Sequence, residues 1–176
     1  TEYLLNKNCK IIVVACNTAT TNAITELRKK YDVPFIGIEP AIKPAADKSQ
    51  TQTIGILATK GTLNSALFHE NVANFKEVKI IEQVGHGLVQ LIESGKIHSD
   101  EMEELLTSYI KPMLIQNIDY LVLGCSHYPY LIPQLRKIVP VNVKIIDSGE
   151  AVAKQTQYIL EKKGLLNLSK EKSRQQ

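Results

Sequence analysis

Short apolar runs alternate along the chain with longer stretches whose apolar positions recur at helical spacing, which predicts strands and helices in turn. Residues 10–15, with Ile11, Ile12, Val13 and Val14 in succession, predict a buried strand. Thr21 to Tyr31 predicts an amphipathic helix, with Ile24, Leu27 and Arg28 at helical spacing and Pro34 as its stop. Phe35-Ile36-Gly37-Ile38 predicts a second strand leading to Glu39-Pro40, and the polar stretch Lys43 to Thr53 a crossing or linker. The pattern then resumes with a strand Thr53 to Ala58, a helix from about Gly61 to Phe75, a strand Val78 to Val84 and a short helix Gly87 to Ser94. Ser99-Asp100-Glu101 opens a longer helix to about Gln116, the serine offering a cap and the acids meeting the positive end of the dipole. A strand Asp119 to Leu123, a helix near Ile132 to Val139, a strand Val143 to Ile146 and a helix from about Ser148 to Lys163 complete the order. The charged and polar end, Ser169 to Gln176, is expected to fray. Apolar strands separated by helices imply an α/β fold with mainly parallel sheets covered on both faces.

Two segments carry candidate chemistry. Ile11 to Thr20 and Tyr120 to Pro129 each run from an apolar strand into a small residue, a cysteine, and then hydroxyl with amide or imidazole side chains. In open parallel sheets functional groups gather beyond the carboxyl ends of strands, which is where Cys16 and Cys125 fall. Each also precedes a helix start, where unpaired N–H groups favour an anion. A lone cysteine is as readily a small buried hydrophobe. Two with matched surroundings point instead to a site made by two facing loops, with a thiol on each side of a substrate. Cys9, beside Asn8 and Lys10, lacks such flanks and keeps the structural reading.

Composition narrows the field. A chain of 176 residues with 44% apolar and 22% charged positions describes a globular protein of one large or two small domains. The net charge of +3, with dispersed lysines and no aromatic-interleaved basic patch, argues against nucleic acid as a partner. No apolar run approaches the roughly 20 residues of a membrane span. The start Thr1-Glu2-Tyr3-Leu4-Leu5 lacks a signal-peptide pattern and a methionine, which fits a cytoplasmic protein and a fragment or processed product. Three cysteines without paired spacing fit a reducing compartment. His69, His86 and His98 show no metal-ligand spacing with one another or with the cysteines, so no metal is expected.

Ala15-Cys16-Asn17-Thr18-Ala19, Gly37-Ile38-Glu39-Pro40, Ala58-Thr59-Lys60-Gly61-Thr62 and Gly124-Cys125-Ser126-His127-Tyr128-Pro129 together resemble the glutamate racemases of the cofactor-independent aspartate/glutamate racemase superfamily. The resemblance runs over nearly the whole chain, and the His127-Tyr128-Pro129 continuation is of the glutamate type. It implies inversion at the α-carbon of L- and D-glutamate without a cofactor, with D-glutamate supplied for bacterial peptidoglycan. One thiolate removes the proton and the thiol on the other face returns one. By resemblance Cys16 would deprotonate D-glutamate and Cys125 L-glutamate, with His127 assisting Cys125 and Glu93 an auxiliary acid on the same side. Asn17, Thr18, Thr59, Thr62, Ser126 and His127 would bind the substrate's carboxylates and amino group. Each has a plainer reading as well: threonine and asparagine cap helices and satisfy loops, a lone histidine is often structural, and Glu93 could be a solvated helix residue. Glu39 reads as a hinge or packing position.

The resemblance implies two similar three-layer α/β domains, residues 1–39 with 148–176 forming part of the first and 40–147 the second, with the site in the cleft between them. The family begins with a strand, a glycine-rich loop carrying Asp-Ser and a Pro-Tyr-Gly segment; nothing before Cys16 corresponds to them. The first domain is therefore expected to be incomplete, and the chain by itself impaired. Family members commonly dimerise, which implies a homodimer. Three alternatives stay open: an aspartate-type racemase, a cysteine hydrolase or acyl transferase using Cys125 and His127, and a non-catalytic domain that binds an acidic ligand.

Overall fold

The computed structural model describes residues 1–168; the end expected to fray, Ser169 to Gln176, lies outside the described residues. Strand β1 (Ile12–Val14) pairs in parallel with β2 (Phe35–Gly37), Ile12 opposite Phe35 and Val14 opposite Gly37. A second sheet holds β3 (Thr53–Ala58), β4 (Lys79–Val84), β5 (Tyr120–Gly124) and β6 (Lys144–Ile146) in the order β4-β3-β5-β6, every pairing parallel. The α/β architecture with parallel sheets is the one the strand and helix alternation predicts.

The second sheet is buried on both sides because its central strands are apolar at every position but Thr53. Every residue of β3 and β5 is buried. Leu57, Leu121 and Leu123 face one layer, where they meet α6 (Leu88–Glu93), α7 (Asp100–Ile115) and α8 (Ile132–Ile138) through Leu88, Leu91, Met102, Leu106, Ile110, Met113 and Leu135. The alternate positions Ile54, Ile56, Ala58, Tyr120 and Val122 face the other layer, against Ile42 and Ala45 of α3 (Ile42–Ala46), Leu63 of α4 (Lys60–Leu63) and Phe68 of α5 (Ala66–Val72). That alternation is the two-residue period of a strand. The smaller sheet packs Ile12 and Phe35 against Ile24 and Leu27 of α2 (Asn17–Lys30), while Val13 on the same sheet is 40% exposed. Helix α9 (Gly149–Lys162) lies beside β2 with no fully buried residue. The chain leaves the small sheet through Glu39-Pro40 and returns through Asp147-Ser148, where the Ser148 hydroxyl donates to the Glu39 carbonyl and ties the two crossings together.

Several elements depart from the sequence expectation, each for a local reason. Helix α2 starts at Asn17, not Thr21, because the Cys16 sulfur itself caps it by accepting from the Ala19 N–H at 3.4 Å. The helix expected from Gly61 to Phe75 is two helices. Ser65 divides them, its hydroxyl donating to the Thr62 carbonyl at 2.7 Å and accepting from the Phe68 N–H at 3.3 Å as the cap of α5. The stretch from Lys43 read as a linker begins inside α3, which Ile42 and Ala45 hold to the core. A short N-terminal helix, α1 (Glu2–Asn6), and a 3-10 turn, Tyr128–Leu131, were not legible in the periodicity. No helix among the described residues is long and apolar enough to cross a membrane.

Candidate active site

Three strand ends from the two sheets deliver the candidate residues: β1 runs into Ala15-Cys16, β3 into Thr59, and β5 into Cys125. Gly124 makes the last of these possible. A Cβ there would sit 2.7 Å from the Ala58 Cβ and 3.2 Å from the Pro40 Cγ, so only glycine lets β5 lie this close to β3 immediately before the thiol. Cys16, Asn17, Thr18, Thr59, Val89, Cys125, Ser126 and His127 line one cavity of about 180 Å3. All three cysteines are free thiols.

The two thiols of this cavity differ. Cys16 is exposed and caps α2. Cys125 is 7% exposed. Burial pushes its thiol up from the ordinary value and charge on Cys16 pushes the same way, while the N–H groups of His127 and Tyr128 partly offset both. The Cys125 sulfur lies 3.9 Å from His127 Nδ1, and His127 Nε2 lies 2.6 Å from Glu93 Oε1. With Glu93 ionised, Nε2–H donates to it and Nδ1 is left to accept from the thiol. Glu93 does not line the thiol cavity. It lines a neighbouring one of about 510 Å3 that shares Ser126 and His127 with it, together with Ile92, Ile97 and Tyr130.

The hydroxyls are arranged as a closed triangle. Thr18 Oγ1 is 2.7 Å from Thr59 Oγ1 and 3.2 Å from Thr62 Oγ1, and the Thr59 and Thr62 hydroxyls are 3.0 Å apart. Each can donate once and accept around the ring, so the three satisfy one another. Thr62 is wholly buried and does not line the cavity. Asn17 is buried and its Oδ1 has no partner, an arrangement that costs free energy until a donor arrives. Val89 is a lining residue that the sequence analysis passed over; it stands four residues before Glu93 on α6, on the same helix face, and that spacing is the signal that could have found it. Among the described residues no group of three or more His, Cys, Asp or Glu side chains is placed to hold a metal ion.

The model of the Asp/Glu/Hydantoin racemase family matches residues 2–156. A glutamate racemase of Ectopseudomonas mendocina is 46% identical over 168 residues, covering 94% of this chain and 64% of the relative. One of Pseudomonas syringae pv. tomato is 43% identical over 167 residues, covering 94% and 61%. Among solved structures, the Escherichia coli glutamate racemase in complex with L-glutamate and the activator UDP-MurNAc-Ala superposes with a TM-score of 0.77 at 37% identity, over 86% of this chain and 58% of that one. The Francisella tularensis glutamate racemase in complex with D-glutamate gives 0.80 at 26% identity, over 97% and 64%. The chain thus spans about three-fifths of the length of these relatives. Extending over nearly the whole chain, the match establishes that this protein belongs to the Asp/Glu/Hydantoin racemase family.

Proposed function

We propose that the chain belongs to a cofactor-independent glutamate racemase, in which Cys16 and Cys125 remove and return the α-proton from opposite faces of L- and D-glutamate. The observation that carries this reading is one cavity lined by two free thiols, each at the end of a strand from a different parallel sheet. Removing an α-proton and delivering another to the opposite face needs a base and an acid on either side, and two thiols in opposite protonation states supply both. In the D-to-L direction the Cys16 thiolate takes the α-proton and the Cys125 S–H gives its own; the reverse direction exchanges the roles. Carbanion-like charge then develops at Cα, and positioned donors around the cavity stabilise it.

The remaining residues divide the binding work. Asn17 Oδ1, buried without a partner, suits a substrate ammonium group. Thr18, Thr59 and Ser126 border the cavity; the Ser126 hydroxyl suits a carboxylate directly, and those of Thr18 and Thr59 do so by turning a proton out of the triangle. His127, oriented by Glu93, serves as proton partner to Cys125. Thr62 acts on Thr18 and Thr59 through the hydroxyl triangle. Residues 1–39 with 148–168 and residues 40–147 form the two sides of the cleft, each built on one of the two sheets. The physiological role is supply of D-glutamate for bacterial peptidoglycan in the cytoplasm, with a homodimer as the working form.

Exchange at Cα tests the reading. The chain is incubated with L-glutamate or D-glutamate in D2O, and loss of the α-proton signal is followed alongside Cys16→Ser and Cys125→Ser. Exchange from both enantiomers that either substitution abolishes or makes one-sided supports it. An acyl-transfer reaction would instead leave Cys16 dispensable and trap a thioester on Cys125, and that result would reject the racemase.

A further inference from the structure

A polar seam joins the first turns of α2 to the loop that opens α4. Asn22 lies at its outer edge, away from the thiol cavity. Its Nδ2 donates to the Thr18 carbonyl at 2.8 Å and to the Gly61 carbonyl at 3.1 Å, and lies 3.4 Å from the Thr21 hydroxyl. The first acceptor belongs to the helix that Cys16 caps; the second belongs to the helix that follows β3 in the other sheet. One amide therefore bridges the two sides of the cavity. At the same place the backbone of Gly61 approaches α2 so closely that a Cβ would stand 2.7 Å from the Thr18 Cγ2. The hydroxyl triangle of Thr18, Thr59 and Thr62 crosses the seam one layer further in.

We propose that Asn22 is a positioning residue, a latch that holds the Cys16-bearing start of α2 against the start of α4 and so keeps the space between the two thiols closed. It rests on the reading above for the roles of Cys16 and Cys125. The latch acts through carbonyl groups and not through side chains that touch substrate, so its loss leaves every lining residue in place and changes only how often the cavity opens. Opening exposes Cys125, which is 7% exposed when the seam is shut, whereas Cys16 is exposed in either state.

That difference supplies the test. Each cysteine of the whole chain is labelled with iodoacetamide and its rate followed by mass spectrometry, in the parent, Asn22→Ala and Asn22→Gln. Alanine is the better helix former, which offsets part of the stability that Asn22→Ala loses with its two hydrogen bonds. Losing one amide that bonds two carbonyls raises the labelling rate of Cys125 by about 2- to 10-fold. Cys16 labels at its parental rate, and Asn22→Gln, which keeps the donor, labels closer to the parent than to Asn22→Ala. Unchanged labelling of Cys125 in Asn22→Ala overturns the latch. So does equal acceleration of Cys16 and Cys125, or identical behaviour of the Ala and Gln variants, because either would mean general loosening. Labelling needs no turnover: the latch can fail while glutamate still exchanges at Cα, and exchange can fail while Cys125 responds as expected.

Discussion

Tyr128 links the loop that carries the buried thiol to the loop after β4, and a double-mutant cycle can weigh the link. Tyr128 is wholly buried, and its hydroxyl donates to the Gly85 carbonyl at 3.1 Å. Gly85 is held in turn by its own N–H, which donates to the Ala58 carbonyl at the end of β3 at 2.9 Å. Tyr128→Phe removes the donor and leaves a buried carbonyl unpaired, at a cost of about 1–3 kcal/mol. For a domain of this size each kcal/mol lowers the melting temperature by about 2–4 °C. Gly85→Ala disturbs the same contact from the other side. Its Cβ would stand 2.4 Å from the Tyr128 hydroxyl, 2.7 Å from the Leu88 Cδ1 and 3.0 Å from the Tyr128 Cζ. Overpacking of that kind costs about 1–3 kcal/mol.

The two losses are not independent. Removing the hydroxyl removes the nearest clash, and displacing Gly85 already weakens the hydrogen bond that Tyr128→Phe deletes. The double variant should therefore be more stable than the sum of the single losses by about 1 kcal/mol, measured from urea unfolding midpoints at constant slope. Additivity within about 0.5 kcal/mol would refute the contact as the coupling between these loops. A parental melting temperature for Tyr128→Phe would refute the hydrogen bond itself.

Ser99→Ala removes the oxygen that accepts from the Met102 N–H at 3.2 Å, and should destabilise the chain by about 1 kcal/mol in thermal unfolding. Burial acts upward on Asp119, but donors on Ser49, Thr51 and Gln50 outweigh it and hold the carboxyl below its usual value. Its stabilisation is present above the unfolded carboxylate value of about 3.9 and is lost as pH falls through the lower folded value. Asp119→Asn should cost about 1 kcal/mol at neutral pH and flatten that acid limb. Cys125, raised by burial and then by Cys16, should begin to alkylate at higher pH than a thiol in the unfolded chain, near pH 8.5, and Cys16→Ser should bring that onset down. The linked stability is fully present below the unfolded thiol value and is lost as pH rises through the folded one, so the alkaline limb of a pH-stability curve checks the sign.

Strand positions were the most legible part of the fold, because fully buried parallel strands are apolar at every position and end at small or polar residues. The expected strand Thr53 to Ala58 coincides with β3 residue for residue. Helix ends were less legible where an unusual group does the capping. Cys16 is outside the usual set of cap residues, so the pattern placed the start of α2 at Thr21, where the apolar spacing begins. Ser65, a usual cap, was hidden inside an apolar rhythm that ran from Gly61 to Phe75 unbroken. At the site, the sequence placed Cys16 and Cys125 at strand ends, and the structure brings both to one cavity. It did not say which hydroxyls meet one another. The triangle of Thr18, Thr59 and Thr62 joins the helix starts that follow strands of different sheets, and sequence spacing carries no information about contacts across a sheet boundary.

The unequal burial of the two thiols bears directly on the proposed chemistry. A two-base inversion works only if one sulfur is charged while the other keeps its proton; two thiols or two thiolates leave one face without its partner. Burial opposes the thiolate at Cys125, and charge on Cys16 opposes it further. A negative charge on Cys16 therefore favours the protonated form of Cys125. The imidazole of His127 lies 3.9 Å from the buried sulfur, which places its help where the thiolate is harder to form. Facing one exposed and one buried thiol across a small cavity thus does more than supply two bases: in the proposed inversion a charged Cys16 favours the proton on Cys125 that the D-to-L direction needs, and His127 stands where the reverse direction must form the harder thiolate.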